Sequence, residues 1–181
     1  MDLFKNIILV IIAPRVGWDD INQSSIRTSE ILTKAFFPLL SILAVSAFFP
    51  MFYDATITLP ATLKKSIVEF SAYFFTYYIA SFLISGFYPE LAKTNAGIER
   101  VNDYCLYNLI FLVILNILAN VLPIDFTPVY FLMLYLPWIA FRGTEYLGVA
   151  KEKQAMFVSA ASLFMLLIPQ FIIYAFSIVI K

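Results

Sequence analysis

The residues of this chain best placed to do chemistry are three carboxamides, Asn108, Asn116 and Asn120. With Cys105 they fall within about 120° of one another on a helical wheel. The stretch around them is otherwise apolar, where polar groups are costly. Two roles account for such a face: a polar path or ligand site between helices, or hydrogen bonding that holds helices together. Glu69 adds a carboxylate that can serve ion or proton coupling, or pair with Lys65 at i, i+4 near lipid headgroups. Gln170 follows Pro169 and is placed to satisfy carbonyls that the proline frees. Cys105 is the sole cysteine and there is no histidine, so a thiol–imidazole pair, a serine–histidine triad and a histidine metal site are all excluded. Phosphate loops, nucleophile elbows and paired carboxylates are absent as well. No catalysis, cofactor or metal is expected.

The composition says what surrounds these residues. Of 181 residues, 62% are hydrophobic and 18% aromatic, while 13% are charged, with 12 basic side chains balancing 12 acidic ones. A water-soluble globule of this length cannot bury so much apolar surface. A nucleic-acid partner would need a basic excess. The expected class is an all-α, multi-pass membrane protein, in the cytoplasmic (inner) membrane if bacterial, with membrane lipid as its first partner.

A spanning helix needs about 20 mostly apolar residues. Five runs free of charge meet or approach that length, and they predict spans near 35–53, 66–88, 104–122, 126–142 and 155–180. Pro137 predicts a kink in the fourth and Pro169 a kink or tilt in the fifth. Ala72, Thr76 and Ala80 make a small-residue stripe suited to a close helix contact. Lys and Arg divide 9 to 3 between alternate loops, which predicts the N-terminus inside and the C-terminus outside.

Residues 1–33 form a separate cytoplasmic segment in this reading, ahead of a transmembrane domain over 34–181. Residues 2–12 are amphipathic and end at Pro14. They suit a helix lying on the inner leaflet, or equally one packed under the bundle; a signal peptide is the rival, opposed by the weakly basic start. Asp20 and Gln23 have the spacing of a capping box, and Trp18 suits a membrane interface. Arg15, Trp18, Arg142, Glu145 and Lys151 are therefore the candidate cytoplasmic contacts for a partner or lipid, with solvated connectors as the plain alternative.

The stretch Ala13-Pro14-Arg15-Val16-Gly17-Trp18-Asp19-Asp20-Ile21, the Pro38-Leu39-Leu40 opening of the first span, and Gly143-Thr144-Glu145-Tyr146-Leu147-Gly148-Val149 followed by Lys151-Glu152-Lys153-Gln154-Ala155 together resemble the Yip (Ypt-interacting protein) family, bacterial branch. The resemblance covers most of the chain. It implies a five-span, non-enzymatic integral membrane protein, linked in eukaryotes to vesicle trafficking and membrane shaping. Bacterial members often carry proline where this chain has Asn108. The Asp-Leu-Tyr-Gly-Pro motif of the eukaryotic branch is absent, so Rab GTPase binding is not carried over.

The expected function is that of a membrane scaffold or adaptor that organises lipid or recruits a membrane or cytoplasmic protein, with self-association possible. The alternative is a small channel or carrier with a polar path along the third span.

Overall fold

The computed structural model describes residues 2–92, 97–123 and 128–179. All regular structure among them is helical, apart from one antiparallel pairing between Ala92 and Val149. Two short helices come first, α1 (Asp2–Ile12) and α2 (Pro14–Gln23). Pro14 opens α2 because its fixed φ suits a first turn and its missing N–H has no partner to lose there. The helix thus begins six residues before Asp20. The capping-box expectation is corrected accordingly: Asp20 lies inside α2 and accepts from Lys5 Nζ at 2.7 Å. The two helices cross so closely that a Cβ on Gly17 would stand 2.4 Å from the backbone nitrogen of Val10. Leu3, Ile7 and Val10 turn inward from α1, while Phe4, Ile8 and Ile12 stay exposed. The helix therefore packs against the bundle with one face and presents an apolar stripe with the other.

The first long helix, α3 (Thr28–Phe52), starts inside the segment assigned to the N-terminal region. Lys34 pairs with Glu30 at 2.7 Å and the Thr33 hydroxyl bonds Ser29 O, so helix persists beyond the apolar run. Over Leu32–Phe36 the turn widens to π geometry, and Phe37 N–H reaches Leu32 O. The cause is Pro38, which cannot donate to the carbonyl four residues back. A 3-10 turn over Phe49–Phe52 ends the helix.

Next come α4 (Leu59–Leu91) and α5 (Gly97–Val121), then α6 (Leu136–Leu147) and α7 (Gln154–Val179). The run expected as a fourth span is not one helix. Residues 126 and 127 lie outside the described residues; beyond them a turn of helix at Val129–Leu132 and a 3-10 turn at Met133–Tyr135 precede α6. Pro137 sits in the first turn of α6, where its missing N–H falls on this interruption. Among the described residues, four helices are long and apolar enough to cross a membrane: α3, α4, α5 and the stretch Lys151–Val179. This makes the chain a multi-pass membrane protein; the run 126–142 is not among these four helices.

In α5, 67% of the most apolar window is buried, against 33% in α3 and in Lys151–Val179, so α5 runs through the centre. It touches α3, α4 and α6. α4 packs along α7, where Phe87 meets Phe157 and Phe164 with ring centroids 5.6 and 6.0 Å apart. Ala72, Thr76 and Ala80 are fully buried on α4, as a close contact requires. Outward, α4 exposes Phe75, Ile79 and Phe82, and α7 exposes Leu163, Leu167 and Phe171. Apolar surface on this scale belongs in lipid.

Candidate functional site

The three asparagines of α5 do not join into one path. Asn108 is buried, and its Nδ2 donates to Tyr104 O on its own helix at 2.8 Å, while its Oδ1 has no partner. Asn116 donates to Leu112 O at 3.0 Å and to the Tyr73 hydroxyl of α4. Cys105 is buried nearby. Each of these asparagines thus bonds the carbonyl one turn back.

Asn120 behaves differently because it ends α5 level with the start of α4. Its Nδ2 donates to Glu69 Oε2 at 2.8 Å and to Ser46 Oγ at 3.1 Å, and its Oδ1 accepts from Lys65 Nζ at 2.7 Å. Lys65 and Glu69 form the anticipated i, i+4 pair, 3.8 Å apart. The Tyr53 hydroxyl caps the Asn120 carbonyl at 2.9 Å. One amide therefore ties α3, α4 and α5 by using both donor and acceptor ends. Glu69 and Lys65 also line a cavity of about 290 Å³ whose far wall is Ile173 and Ser177 of α7. Gln170 is exposed on α7 and takes no part in this cluster.

The opposite end, where α4 finishes, carries the second site. The expectation that Trp18 sits at a membrane interface is corrected: it is buried. Its Nε1 donates to Ile139 O at 3.0 Å, and its ring packs against Tyr104, Tyr107 and Tyr146 with centroids 5.4–5.8 Å away. An indole has large apolar area and one donor, and this pocket satisfies both. Gly143 of α6 makes the approach possible, since a Cβ there would lie 2.7 Å from Tyr104 and 2.8 Å from Trp18.

Around the edge of Trp18 opens a cleft of about 80 Å³, lined by Arg15, Asp19 and Asn22 of α2 and by Arg142, Glu145 and Tyr146 of α6. Arg15, Arg142 and Glu145, three of the anticipated contacts far apart in sequence, thus share one surface, with Trp18 as its wall. Lys151 stands elsewhere, exposed on a 3-10 turn. The Arg142 guanidinium lies 4.3 Å from the ring centroid of Trp138. Among the described residues, none of the four charged groups in this cleft is within 4.0 Å of an opposite charge.

Asp103 was visible in the sequence only as the boundary of an apolar run. It is buried, and accepts from Thr28 Oγ1 at 2.7 Å and from the Tyr146 hydroxyl at 3.1 Å. The Tyr146 hydroxyl is the donor of this pair, giving its hydrogen to Asp103 Oδ2. Arg100 completes the group, donating from Nη1 to Tyr146 O at 3.0 Å and lying 5.1 Å from its ring centroid. No local pattern marks Asp103, because both of its partners come from distant helices. Among the described residues, no group of three or more His, Cys, Asp or Glu side chains could hold a metal ion. Neither a family model, nor a curated protein, nor a solved structure matches the chain.

Proposed function

We propose that the chain is a non-enzymatic membrane scaffold or adaptor of the Yip type, docking a partner at the cleft between α2 and α6. The carrying observation is the gathering there of Arg15, Asp19, Arg142 and Glu145, two guanidiniums and two carboxylates without ion-pair partners among the described residues. Charges so arranged favour register and partner selection. On this reading the cleft faces the cytoplasm, the N-terminus is inside and the C-terminus outside, and the membrane is the inner one of a bacterium.

The topology includes a fifth, broken passage through 128–147. Its support is the pattern of bonds: Asn120 reaches Glu69 near the start of α4, while Leu147 O accepts from Tyr88 near its end, at 2.6 Å. A chain that returns across the bundle between them accounts for both bonds. The exposed Phe4, Ile8 and Ile12 of α1 support an interfacial position for that helix. The separate closure of Asn108, Asn116 and Asn120 weighs against a continuous path and hence against a channel.

The test is photo-crosslinking in intact membranes with a reactive group at Glu145 or, as control, at lipid-facing Phe82. A discrete protein adduct at 145, absent at 82 and abolished by Arg15→Glu, is the expected result. Its absence at 145 would sink the reading.

A further inference from the structure

A carboxylate withdrawn from water without a cation in direct contact is expensive, and Asp103 is in that position. Both of its oxygens accept from hydroxyls, Thr28 and Tyr146, and among the described residues no cation lies within 4.0 Å of it. Arg100, less than one turn before it on α5, directs its guanidinium to the carbonyl and ring of Tyr146. Two further polar groups in this region, Asn6 Nδ2 and the Tyr107 hydroxyl, are buried against each other and have no other hydrogen-bond partner among the described residues. Asn6 also lines a polar cavity of about 390 Å³ shared with Lys5, Asp20, Gln23, Ser24 and Ser25. A polar cavity, two mutually facing buried polar groups and a buried acid thus follow one another inward from the α1–α2 surface.

We propose that Asp103 is a proton-binding site, reached from that cavity by way of Asn6 and Tyr107, and that its protonation state is read out at the α2–α6 cleft through Tyr146. As the carboxylate, Asp103 accepts from both hydroxyls. As the acid it becomes a donor at one oxygen, so Thr28 or Tyr146 must turn its hydroxyl hydrogen elsewhere. The proton comes from, and returns to, water in the cavity, and no electrons move. Tyr146 belongs to both places: its hydroxyl meets Asp103, and it lines the cleft beside Trp18 with ring centroids 5.4 Å apart. The titratable and charged groups facing Asp103 are Glu99, Arg100 and Tyr107 of α5, Tyr77 of α4 and Tyr146 of α6. Only the final link, to docking, rests on the function proposed above.

Trp18 supplies the reporter. Trp18 and Trp138 are the two tryptophans, so a Trp138→Phe background isolates the signal. The full chain in lipid nanodiscs should show a one-proton transition in Trp18 fluorescence that is lost in Asp103→Asn and kept in Glu99→Gln. Should Asp103→Asn fail to fold, Tyr146→Phe decides: the infrared carbonyl band of a protonated carboxyl should still titrate, while most of the Trp18 change disappears. A transition that persists in Asp103→Asn, or a Trp18 response unaltered in Tyr146→Phe, would overturn the proposal. A normal Trp18 titration with no crosslink at position 145 would remove the docking function and leave the proton site standing.

Discussion

The ring of Trp18 occupies the space that a side chain at Gly143 would need. A Cβ at 143 would meet Trp18 at 2.8 Å and Tyr104 at 2.7 Å, closer than atoms of a packed core approach. Neither ring can yield, because Trp18 is held by Ile139 O and Tyr104 by Ala140 O. Gly143→Ala should therefore destabilise the protein by about 1–3 kcal/mol, seen as a lower unfolding temperature in detergent. Gly86, on an exposed turn of α4 with nothing within 4 Å, is the contrast. There Gly→Ala should be neutral or stabilise by up to about 1 kcal/mol.

Asn120 and Asn116 lie one turn apart and should differ sharply. Asn120→Leu strips partners from Lys65, Glu69 and Ser46 together, at a cost of about 2–4 kcal/mol, because charged groups left unsatisfied are the expensive ones. Asn116→Leu loses only a tyrosine hydroxyl and a carbonyl on its own helix, about 1 kcal/mol. Thermal unfolding of the two variants in the same detergent ranks them. The reverse order would mean that Asn120 is not the junction of α3, α4 and α5.

Trp18→Phe keeps an aromatic ring but removes the indole N–H that donates to Ile139 O. A loss of about 1–2 kcal/mol is expected. Because the indole is fixed among three tyrosine rings, stacked on Tyr104, edge-on to Tyr107 and tilted against Tyr146, its near-ultraviolet circular dichroism band should also vanish in the variant.

Acid should loosen the turn after α3. The Asp54 carboxyl accepts from the hydroxyl of Thr56 at 2.6 Å and from its backbone N–H at 2.9 Å, and these bonds hold its pKa below the usual value. With the folded pKa lowered, the contribution is present above the unfolded value and is lost as pH falls through the folded one. The amide chemical shift of Thr56 should titrate below the ordinary carboxylate range. In Asp54→Asn that titration should be gone.

Much of the architecture is legible in apolar run lengths, and its misreadings have specific causes. The runs located α4, α5 and α7, yet α4 begins at Leu59 rather than near 66. Lys64 and Lys65 end an apolar run without ending a helix, since a helix continues readily into the headgroup zone. The run 126–142 reports an apolar environment, which is a different property from helical continuity, and Pro137 separates the two. The Lys65–Glu69 pair was local and therefore visible, whereas its junction with Asn120 spans 51 residues between Asn120 and Glu69. Trp18 looks like an interface residue beside Asp19 and Asp20, and only the distant Gly143 and Tyr146 reveal it as core. Arg15, Arg142 and Glu145 could be picked out by charge, but no sequence period brings α2 and α6 together.

The end of α4 is closed by residues made much later. Ala92 pairs with Val149, Leu91 O accepts from Ala150 N at 3.0 Å, Glu90 O from Lys153 Nζ at 2.6 Å, and the Tyr88 hydroxyl donates to Leu147 O. During synthesis, the carbonyls of Glu90 and Leu91 wait for about sixty further residues before these partners exist. Insertion and assembly are thereby separated in time: α4 can enter the bilayer early, but its final turn becomes committed only when the α6–α7 turn leaves the ribosome. A chain truncated before Leu147 would carry an open, protease-sensitive end on its second long helix, and its half-life in the membrane would measure what this late clasp contributes.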